Sequence, residues 1–400
     1  MSVARAIQEA QEKGSFIRKM FEEGMALKKA FGADKVYDFS IGNPDVEPPA
    51  AFSATLARLA ADPTPGTHGY MPNPGFIDVR AKLAVKVNRE QGVSCGPEHL
   101  IMSVGAAGGL NCVLKAILNP GDEVVVPRPF FVEYGTYIAN HGGKMVLVDS
   151  APDFNLDVGA IAAALNEKTA AVLINSPHNP TGRIYPKETL AALADVLREH
   201  GKKCGRKPLL IGDEPYRELV YGGAVVPPLL ASYEESVVVT SYSKSLSLPG
   251  ERIGYIAVNP AMADAAALCG ALAFATRTLG YVNAPALMQR VVAELVDERV
   301  AVEVYAARRA AFLEVLKAAG VGCIEPEGAF YLFCKVPARG SDGSTDDFAF
   351  VAALKEERIL AVPGTGFGGP GYFRLAYCVD EAIIRASAAG FARAVAAWKA

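Results

Sequence analysis

The sequence predicts an α/β fold, in which a mainly parallel sheet lies between layers of helices, together with a smaller α+β domain. From about residue 100, short apolar runs rich in β-branched residues alternate with segments of helical periodicity. Strands that are apolar along their whole length are typical of parallel sheets covered on both faces. After residue 285 this alternation gives way to longer helical stretches, which indicates the second domain.

The strands expected in the larger domain are short runs of mainly Val, Ile, Leu and Ala. Their predicted ranges are Glu123–Pro127, Met145–Asp149, Ala170–Asn175, Pro208–Asp213, Ser236–Thr240 and Ile253–Val258. Helical patterns separate several of them, as in Lys187–His200, where apolar residues recur at positions 190, 193, 194 and 197. This order of strands and helices predicts a doubly covered, mainly parallel sheet.

The two ends of the chain have a different pattern. The first forty or so residues predict a helix, followed by a short extended entry into DFSIGNPDVEPP, which its prolines make irregular. Near the other end, the pattern predicts one long helix, or two nearly in line, over Ala286–Ala319 and a terminal helix from about Asp380. Two strands are expected between them, at Ala329–Cys334 and Tyr372–Tyr377. The predicted domains are an N-terminal segment packing with the small domain (1–45), a large domain (46–285) and a small domain (286–400).

Composition and charge exclude several classes of protein. The chain has 400 residues, of which 51% are hydrophobic and 21% charged, with a formal net charge of −3. Nucleic acid is not expected as a partner, because binding to a phosphate backbone needs clustered Lys and Arg. No apolar run reaches the length of a membrane span, and the charged N-terminus lacks the apolar stretch of a signal peptide. We therefore expect a cytoplasmic protein with no membrane partner.

Two features that superficially suggest a site are set aside. The seven cysteines are odd in number and no two lie within four residues, which excludes a CxxC motif and argues against a disulfide framework. The segment Gly364–Gly369 matches GxGxxG, but Pro370 and a strand pattern follow it instead of a helix. A dinucleotide site needs that helix, so we expect a flexible loop there.

The most informative segment is SYSKSLSLPGERIG, residues 241–254, which directly follows a predicted strand. Open α/β sheets bind ligands at the carboxyl ends of their strands. A lysine in this position, Lys244, can form a Schiff base while Ser241 and Arg252 hold a phosphate. The alternative is a surface loop with an exposed lysine, and these residues alone leave both open.

Two earlier strands end in polar residues. LLIGDEPY places Asp213 at a strand end and Tyr216 three positions later, although an acid in that position is often a helix cap. AVLINSPHNPTG runs from a strand into a proline-rich turn that contains Asn179, which alone indicates only a turn. Because parallel strands deliver these residues and Lys244 to one edge of the sheet, coincidence is a poor explanation and we expect a site.

Together these segments resemble the class I aminotransferases, pyridoxal-phosphate enzymes of fold type I. The chain is most similar to the branch of bacterial aspartate, alanine, aromatic and kynurenine transaminases. The matching segments run in family order and cover most of the chain: DFSIGNP (38–44), HGYMPNPG (68–75), SVGAAGGL (103–110), PRPFFVEY (127–134), NSPHNPTG (175–182), DEPY (213–216), SYSKSLSLPGERIGY (241–255) and YFRLAYC (372–378). The resemblance implies pyridoxal 5'-phosphate as the cofactor, no metal, and a homodimer with shared active sites.

The resemblance also implies roles for the residues at the sheet edge. Lys244 would form the Schiff base with the cofactor and move the substrate proton, which needs an amine that is uncharged near neutral pH. Asp213 would keep the pyridine nitrogen protonated, so that the ring acts as an electron sink. Asn179 and Tyr216 would hydrogen-bond the phenolic oxygen of the ring and stabilise its anion.

An aromatic side chain and an anion site would hold the rest of the cofactor. Phe131 would stack on the ring, with its neighbour Phe130 as a rival. The phosphate would lie at the N-terminus of a helix opening at residue 105, where free amides favour an anion. The family often has a hydroxyl residue at position 107, where this chain offers only a backbone amide. The residues expected around the phosphate are Gly105, Ala106, Ala107, Ser241, Arg252 and, from the second subunit, Tyr70.

For the substrate, the resemblance implies that Arg374 binds the α-carboxylate with its planar guanidinium, with Asn179 and the Gly42 backbone beside it. Taken alone, Arg374 would be interpreted as part of a structural ion pair. Arg277 is a candidate for binding a side-chain carboxylate from the neighbouring subunit. Alternatively, it is a surface or helix-end residue, and the apolar side chains of its segment line a pocket for larger substrates. Those side chains are Phe274, Leu279 and Tyr281.

Three functions are compatible with this pattern. The leading one is amino transfer from an L-amino acid to a 2-oxo acid, in a ping-pong cycle through pyridoxamine phosphate. The second is β-elimination by a C–S lyase of the same fold, since one fold hosts many chemistries. The third is a non-catalytic regulator, which is disfavoured because DFSIGNP begins at residue 38 and leaves no room for an added DNA-binding domain.

Overall fold

A computed structural model of the chain describes residues 3–5, 7–8, 24–32, 35–340 and 343–400. Residues 24–31 are helical, and most of the predicted N-terminal helix lies outside the described residues. The strands are β1 (Tyr37–Asp38), β2 (Leu100–Ser103), β3 (Glu123–Arg128), β4 (Lys144–Asp149), β5 (Thr169–Asn175), β6 (Leu209–Asp213), β7 (Ser236–Ser241), β8 (Gly254–Val258), β9 (Tyr331–Lys335), β10 (Ile359–Leu360), β11 (Val362–Pro363) and β12 (Tyr372–Ala376). The helices that follow residue 45 are α1 (Ala50–Ala60), α2 (Ile77–Gln91), α3 (Gly105–Ile117), α4 (Tyr134–Asn140), α5 (Val158–Ala164), α6 (Lys187–Cys204), α7 (Tyr242–Ser245), α8 (Ala265–Thr278), α9 (Ala286–Glu294), α10 (Val302–Ala319), α11 (Asp347–Glu356), α12 (Glu381–Ala386) and α13 (Ala388–Lys399).

A seven-stranded sheet carries the predicted site. Its strand order is β2-β8-β7-β6-β5-β3-β4, and β8 alone runs antiparallel to its neighbours. The strands β7, β6 and β5 are adjacent and parallel, with Asn175 opposite Asp213 in the register. Because their carboxyl ends therefore lie side by side, the residues that follow these three strands meet at one edge of the sheet.

Alternating side chains of the sheet enter two separate hydrophobic cores. Val125 and Leu210 pack on one face with residues of α1, α2, α6 and α9, whereas Val124 and Val239 pack on the other with residues of α3, α4 and α8. This two-fold alternation with apolar residues on both sides is the pattern of a sheet buried between helices. The α/β architecture with a mainly parallel sheet is therefore confirmed.

A third hydrophobic core contains side chains from both the N-terminal segment and the C-terminal part of the chain. β9, β11 and β12 form a three-stranded antiparallel sheet that packs with α10, α11 and α13, and β1 pairs in parallel with β10. Phe39 of the N-terminal segment and Tyr216 of the large-sheet region are buried in the same core. The site residues that follow β6 thus contact the elements that carry Arg374.

Several local predictions need refinement. The six predicted strands of the large sheet are observed with ends that differ by at most one residue, but the short strand β2 was not predicted. The region 286–319 forms two helices separated by residues 295–301, and the second ends at Gly320 in the left-handed conformation. Residues 364–367, in the segment predicted to be a flexible loop, form a short 3₁₀ turn between β11 and β12, and β12 rather than an α-helix follows it.

Candidate active site

Lys244 lies in the short helix that begins directly after β7, and its amine points back to the N-terminal segment. Nζ donates a hydrogen bond to the Gly42 carbonyl at 3.0 Å and lies 5.0 Å from the centre of the Phe330 ring. Burial lowers the pKa of Lys244 to about 8, and the positive charges of Arg374 and Arg252 act in the same direction. An amine with this pKa is partly uncharged near neutral pH, as a nucleophile requires.

Asp213 ends β6 and is buried. Its Oδ2 accepts a hydrogen bond from the Tyr134 hydroxyl at 2.5 Å, whereas Oδ1 has no hydrogen-bond partner among the described residues. Burial raises the pKa of Asp213 to about 7, and the charge of Glu214 adds to this effect. A buried carboxylate with one unpaired oxygen fits a ligand that brings a positively charged N–H to that oxygen.

An anion site lies at the start of α3. The helix begins at Gly105, whose φ of +66° is left-handed, and no side chain caps the amides of its first turn. A Cβ at residue 105 would lie 2.9 Å from Arg252 Nη2, so the guanidinium rests directly against this turn. Ser241, at the end of β7, lies opposite Gly254 in the register, and a Cβ at Gly254 would overlap the Thr240 carbonyl oxygen. Uncapped helix amides together with an arginine fit a phosphate group.

Arg374 is placed by β12 between two aromatic rings. Its guanidinium carbon lies 4.6 Å from the centre of the Tyr331 ring and 4.7 Å from that of Phe367. Nη2 donates to the Ser40 carbonyl at 2.8 Å and Nη1 donates to Asn179 Oδ1 at 3.3 Å. The buried Nε has no hydrogen-bond partner in the described part of the chain. This arrangement fixes the plane of the guanidinium and brings it beside Asn179.

Asn179 and Tyr216 complete the cluster. The amide nitrogen of Asn179 donates to Asn175 Oδ1 at 2.6 Å, which ties the proline-rich turn to the end of β5. The Tyr216 hydroxyl lies 3.1 Å from the Tyr331 hydroxyl, and burial raises the pKa of Tyr216 well above its ordinary value. Tyr216 therefore keeps its proton and is available as a hydrogen-bond donor.

The two phenylalanine candidates lie in different surroundings. Phe131 is half-buried and meets the Tyr134 ring edge-on at 5.4 Å, so it lies on the side of Asp213. Phe130 is buried in the core, where a Cβ at Gly368 would come within 2.9 Å of its ring. The surroundings favour Phe131 as the side chain available to a bound ring.

Two predicted residues lie away from this cluster within one protomer. The side chain of Tyr70 is 92% exposed. Arg277 lies exposed in the last turn of α8 and forms no ion pair with the residues that the structure describes. The Gly42 carbonyl accepts the hydrogen bond from Lys244, and Gly42 also lies against Tyr331, whose ring contacts Arg374.

The sequence analysis missed the residues that support the cluster. Tyr134 binds Asp213, Tyr331 contacts both Tyr216 and Arg374, and Phe367 covers the second face of that arginine. Tyr134 and Tyr331 lie outside the ends of the large-sheet strands, so the argument from strand ends could not find them. Only their position in aromatic-rich segments (PFFVEY and AFYLF) marked them.

The residues present fit pyridoxal phosphate. Asp213 offers an unpaired buried oxygen, the first turn of α3 offers free amides beside Arg252, and Lys244 offers an amine of lowered pKa. These are the partners that a protonated pyridine nitrogen, a phosphate and an aldehyde need. The residues described include no cluster of His, Cys, Asp and Glu that could hold a metal ion. None of their helices is long and apolar enough to cross a membrane.

Comparison with known proteins gives a consistent result. The family model "Aminotransferase class I and II" matches residues 34–389. The structure of an aminotransferase from Eubacterium rectale superposes with a TM-score of 0.95 at 36% identity, over 100% of both chains. The aspartate/prephenate aminotransferase of Thermus thermophilus is 33% identical, over 88% of this chain and 89% of its own length. The aspartate aminotransferase of Bacillus subtilis is 33% identical, over 89% of this chain and 91% of its own length.

These relatives decide between the three functions. All three are described as aminotransferases, so neither the C–S lyase nor the non-catalytic regulator is favoured. The predicted resemblance, the fold and the cofactor class are thereby confirmed. The chain belongs to the class I and II aminotransferases, enzymes that use pyridoxal phosphate to move an amino group from an amino acid to a 2-oxo acid.

Proposed function

We propose that Lys244 holds the cofactor covalently and carries the substrate proton in this aminotransferase. The observation that carries the proposal is the convergence on one cluster of Lys244, which follows β7, Asp213, which ends β6, and Arg374 of β12. When bound, pyridoxal phosphate supplies an electron sink for the negative charge left at the substrate Cα. Lys244 Nζ, which is partly uncharged near neutral pH because burial lowers its pKa to about 8, accepts the Cα proton in its uncharged form.

Asp213, Asn179 and Tyr216 are proposed to set the electronic state of the ring. Asp213 Oδ1, buried and unpaired within the described structure, accepts a hydrogen bond from the ring nitrogen, while Tyr134 holds Oδ2. Asn179 Oδ1 accepts from Arg374, so the side-chain amide is oriented with Nδ2 as its donor, which is proposed to bind the phenolic oxygen. Tyr216, protonated over the working pH range, donates to the same oxygen.

The remaining cofactor contacts are proposed from the anion site and its surroundings. The amides of Gly105, Ala106 and Ala107 bind the phosphate together with Ser241 and Arg252, and Phe131 stacks on the ring. The uncapped start of α3 and the contact between Arg252 and Gly105 support this assignment.

Arg374 is proposed to bind the substrate α-carboxylate through its guanidinium edge. Its two ring contacts and its hydrogen bonds to Ser40 and Asn179 hold the guanidinium in one orientation. A planar group held in this way presents two parallel N–H donors to a carboxylate. The Gly42 carbonyl, which accepts from Lys244, keeps the amine at the same end of the site.

For the amino donor, we propose a dicarboxylic amino acid such as aspartate or glutamate. The proposal is supported by the names of the Thermus and Bacillus relatives, an aspartate/prephenate and an aspartate aminotransferase. Arg277, exposed and without an ion pair among the described residues, is the proposed ligand of the side-chain carboxylate of a substrate bound to the neighbouring subunit. Phe274, Leu279 and Tyr281 would favour aromatic donors instead.

We also propose that the enzyme is a cytoplasmic homodimer with shared sites. Tyr70, 92% exposed in the protomer, is the residue proposed to reach the phosphate of the second subunit. All seven cysteines are free, as expected in a reducing compartment.

A panel of amino donors tests this proposal. We expect the holoenzyme to convert aspartate and glutamate faster than alanine or phenylalanine, with the released 2-oxo acid measured directly.

Arg374→Lys should raise KM for all donors by about tenfold or more, because lysine cannot make the paired hydrogen bonds. Arg277→Ala should raise KM only for the dicarboxylic donors. Equal effects of Arg277→Ala on phenylalanine and aspartate would contradict the proposed substrate contact.

A further inference from the structure

We infer that Tyr331 is a positioning residue for the reaction: its hydroxyl orients Tyr216 and its ring holds Arg374. The inference rests on the proposed roles of those two residues and adds one side chain that connects them. Tyr331 lies at the start of β9 and is buried. Its neighbours are Tyr216 and Arg374, so its influence would pass through them.

The two hydroxyls form one hydrogen bond, and the proposed role of Tyr216 sets its direction. Tyr331 and Tyr216 lie with their oxygens 3.1 Å apart, close enough for one hydrogen bond between them. Each hydroxyl has a single proton, so when Tyr216 donates to the cofactor, the hydrogen bond between the two tyrosines must have Tyr331 as its donor. A donor chain of this kind also strengthens the second hydrogen bond, because the first one polarises it.

The Tyr331 hydroxyl has little freedom to point elsewhere. Its oxygen lies so close to Gly42 that a Cβ at that residue would overlap it. The two tyrosine rings meet nearly at right angles, at 80° and 5.9 Å between their centres. Gly42 is also the residue whose carbonyl accepts the hydrogen bond from Lys244. Tyr331 therefore touches the backbone that holds the lysine as well as the tyrosine that faces the ring.

The ring of Tyr331, as distinct from its hydroxyl, contacts Arg374. In the antiparallel register of β9 and β12, Tyr331 lies opposite Ala376, and Arg374 is its diagonal neighbour on the same face. The small side chain of Ala376 leaves space for the ring to extend beneath the guanidinium, at 4.6 Å. Phe367 covers the other face at 4.7 Å. Cation–π contacts on both faces keep the guanidinium plane fixed.

Two substitutions distinguish the role of the Tyr331 hydroxyl from the role of its ring. Tyr331→Phe removes the hydroxyl and keeps the ring. We expect the pH midpoint of the absorbance change of the holoenzyme to rise by about half a unit or more, because the phenolic anion of the ring is less well stabilised. The KM for aspartate should stay within about twofold. Tyr331→Leu also removes the ring contact, and should in addition raise KM by about tenfold.

Control variants assign the effect to the hydroxyl chain. Tyr377→Phe also removes a buried hydroxyl, one that bonds to the Ala329 carbonyl at 3.1 Å and to Tyr221 at 3.4 Å, and should leave both readouts unchanged. Phe367→Leu should raise KM without moving the midpoint. In a Tyr216→Phe background, Tyr331→Phe should cause no further shift, since Tyr331 acts through Tyr216.

The outcomes are distinguishable. A Tyr331→Phe holoenzyme with the wild-type midpoint would overturn the inference, as would a full additional shift in the Tyr216→Phe background. A wild-type holoenzyme whose absorbance does not depend on pH, and on which Tyr216→Phe has no effect, would overturn the proposed function and the inference with it.

Discussion

Asp213 lies in an environment that is costly for a carboxylate without a ligand. Its carboxyl is buried, one oxygen lacks a partner in the described structure, and burial raises its pKa to about 7. The folded apoenzyme therefore prefers the protonated acid, whereas the unfolded chain ionises near 3.8. The stability that the protonated form contributes is fully present below about pH 4 and is lost as the pH rises through 7.

We predict that Asp213→Asn stabilises the apoenzyme at about pH 8 by roughly 2–4 kcal/mol, because the amide cannot ionise. The advantage should shrink towards zero at about pH 3, below the ordinary value of 3.8, where the wild-type acid is mostly protonated in both states. Urea unfolding of both proteins at several pH values measures this difference. Asp195→Asn, which changes a carboxyl on a side chain that is 76% exposed, is the control and should show no such pH dependence. A stability difference for Asp213→Asn that is the same at both pH values would contradict the argument.

At the scale of single residues, the sequence predicted the polar groups at the strand ends and missed their support. Asp213, Asn179 and Lys244 follow apolar strands, so strand direction alone placed them together. Tyr134 and Tyr331 come from other elements, and their contacts depend on how α4 and β9 pack against the sheet edge. Packing of this kind has no periodic signal in one sequence.

Among the secondary-structure elements, the start of α3 restricts most clearly which residue the site can contain. Gly105 combines a left-handed φ of +66° with close approach of Arg252. Another residue here would be strained in its backbone and would push the guanidinium away from the helix amides. The Arg252 guanidinium is the end of a flexible side chain and can move aside. We therefore expect a substitution at Gly105 to disturb the anion site more than the fold.

We predict that Gly105→Ala raises the dissociation constant of pyridoxal phosphate by about tenfold while the enzyme remains folded. Equilibrium binding of the cofactor to the apoenzyme measures the change. Gly270→Ala is the matched control, because Gly270 lies within α8 and a Cβ there meets nothing within 4 Å. The control should leave cofactor binding unchanged and stabilise the helix by up to about 1 kcal/mol. Unchanged cofactor binding in Gly105→Ala would contradict the assignment.

Prediction succeeded for the six predicted strands of the large sheet because their apolar runs are nearly uninterrupted and bounded by polar turns. It failed for β2, a four-residue strand that apolarity alone does not distinguish. It left open whether residues 286–319 form one helix or two, because the whole region has helical composition. The break at residues 295–301 follows from local packing, where the Val300 amide donates to the Ser245 carbonyl at 2.8 Å, next to Lys244.

For the whole molecule, the proposed dimer makes a direct prediction. Lys244→Ala should abolish the chemistry of its own subunit, and Tyr70→Ala should weaken the phosphate site of the other. When the two impaired variants are mixed and allowed to exchange subunits, one site of each mixed dimer regains both residues. Activity should then rise to about a quarter of the wild-type value. Activity equal to the sum of the separate variants, or a fully active monomer in sedimentation, would contradict shared sites.

The domain boundaries at residues 45 and 285 stay a prediction.

The central claim is that Lys244 transfers the substrate proton in amino transfer. The most direct measurement is the release of 2-oxo acid from aspartate by the holoenzyme without an acceptor, alongside the absorbance spectrum. The wild-type enzyme and the control Lys202→Ala, which changes a side chain that is 72% exposed, should release about one equivalent per site. The spectral change should reverse when a 2-oxo acid is added, and Lys244→Ala should be slower by a factor of about a hundred or more. Release by Lys244→Ala at the wild-type rate, or continuous formation of ammonia by the wild-type enzyme, would contradict the account.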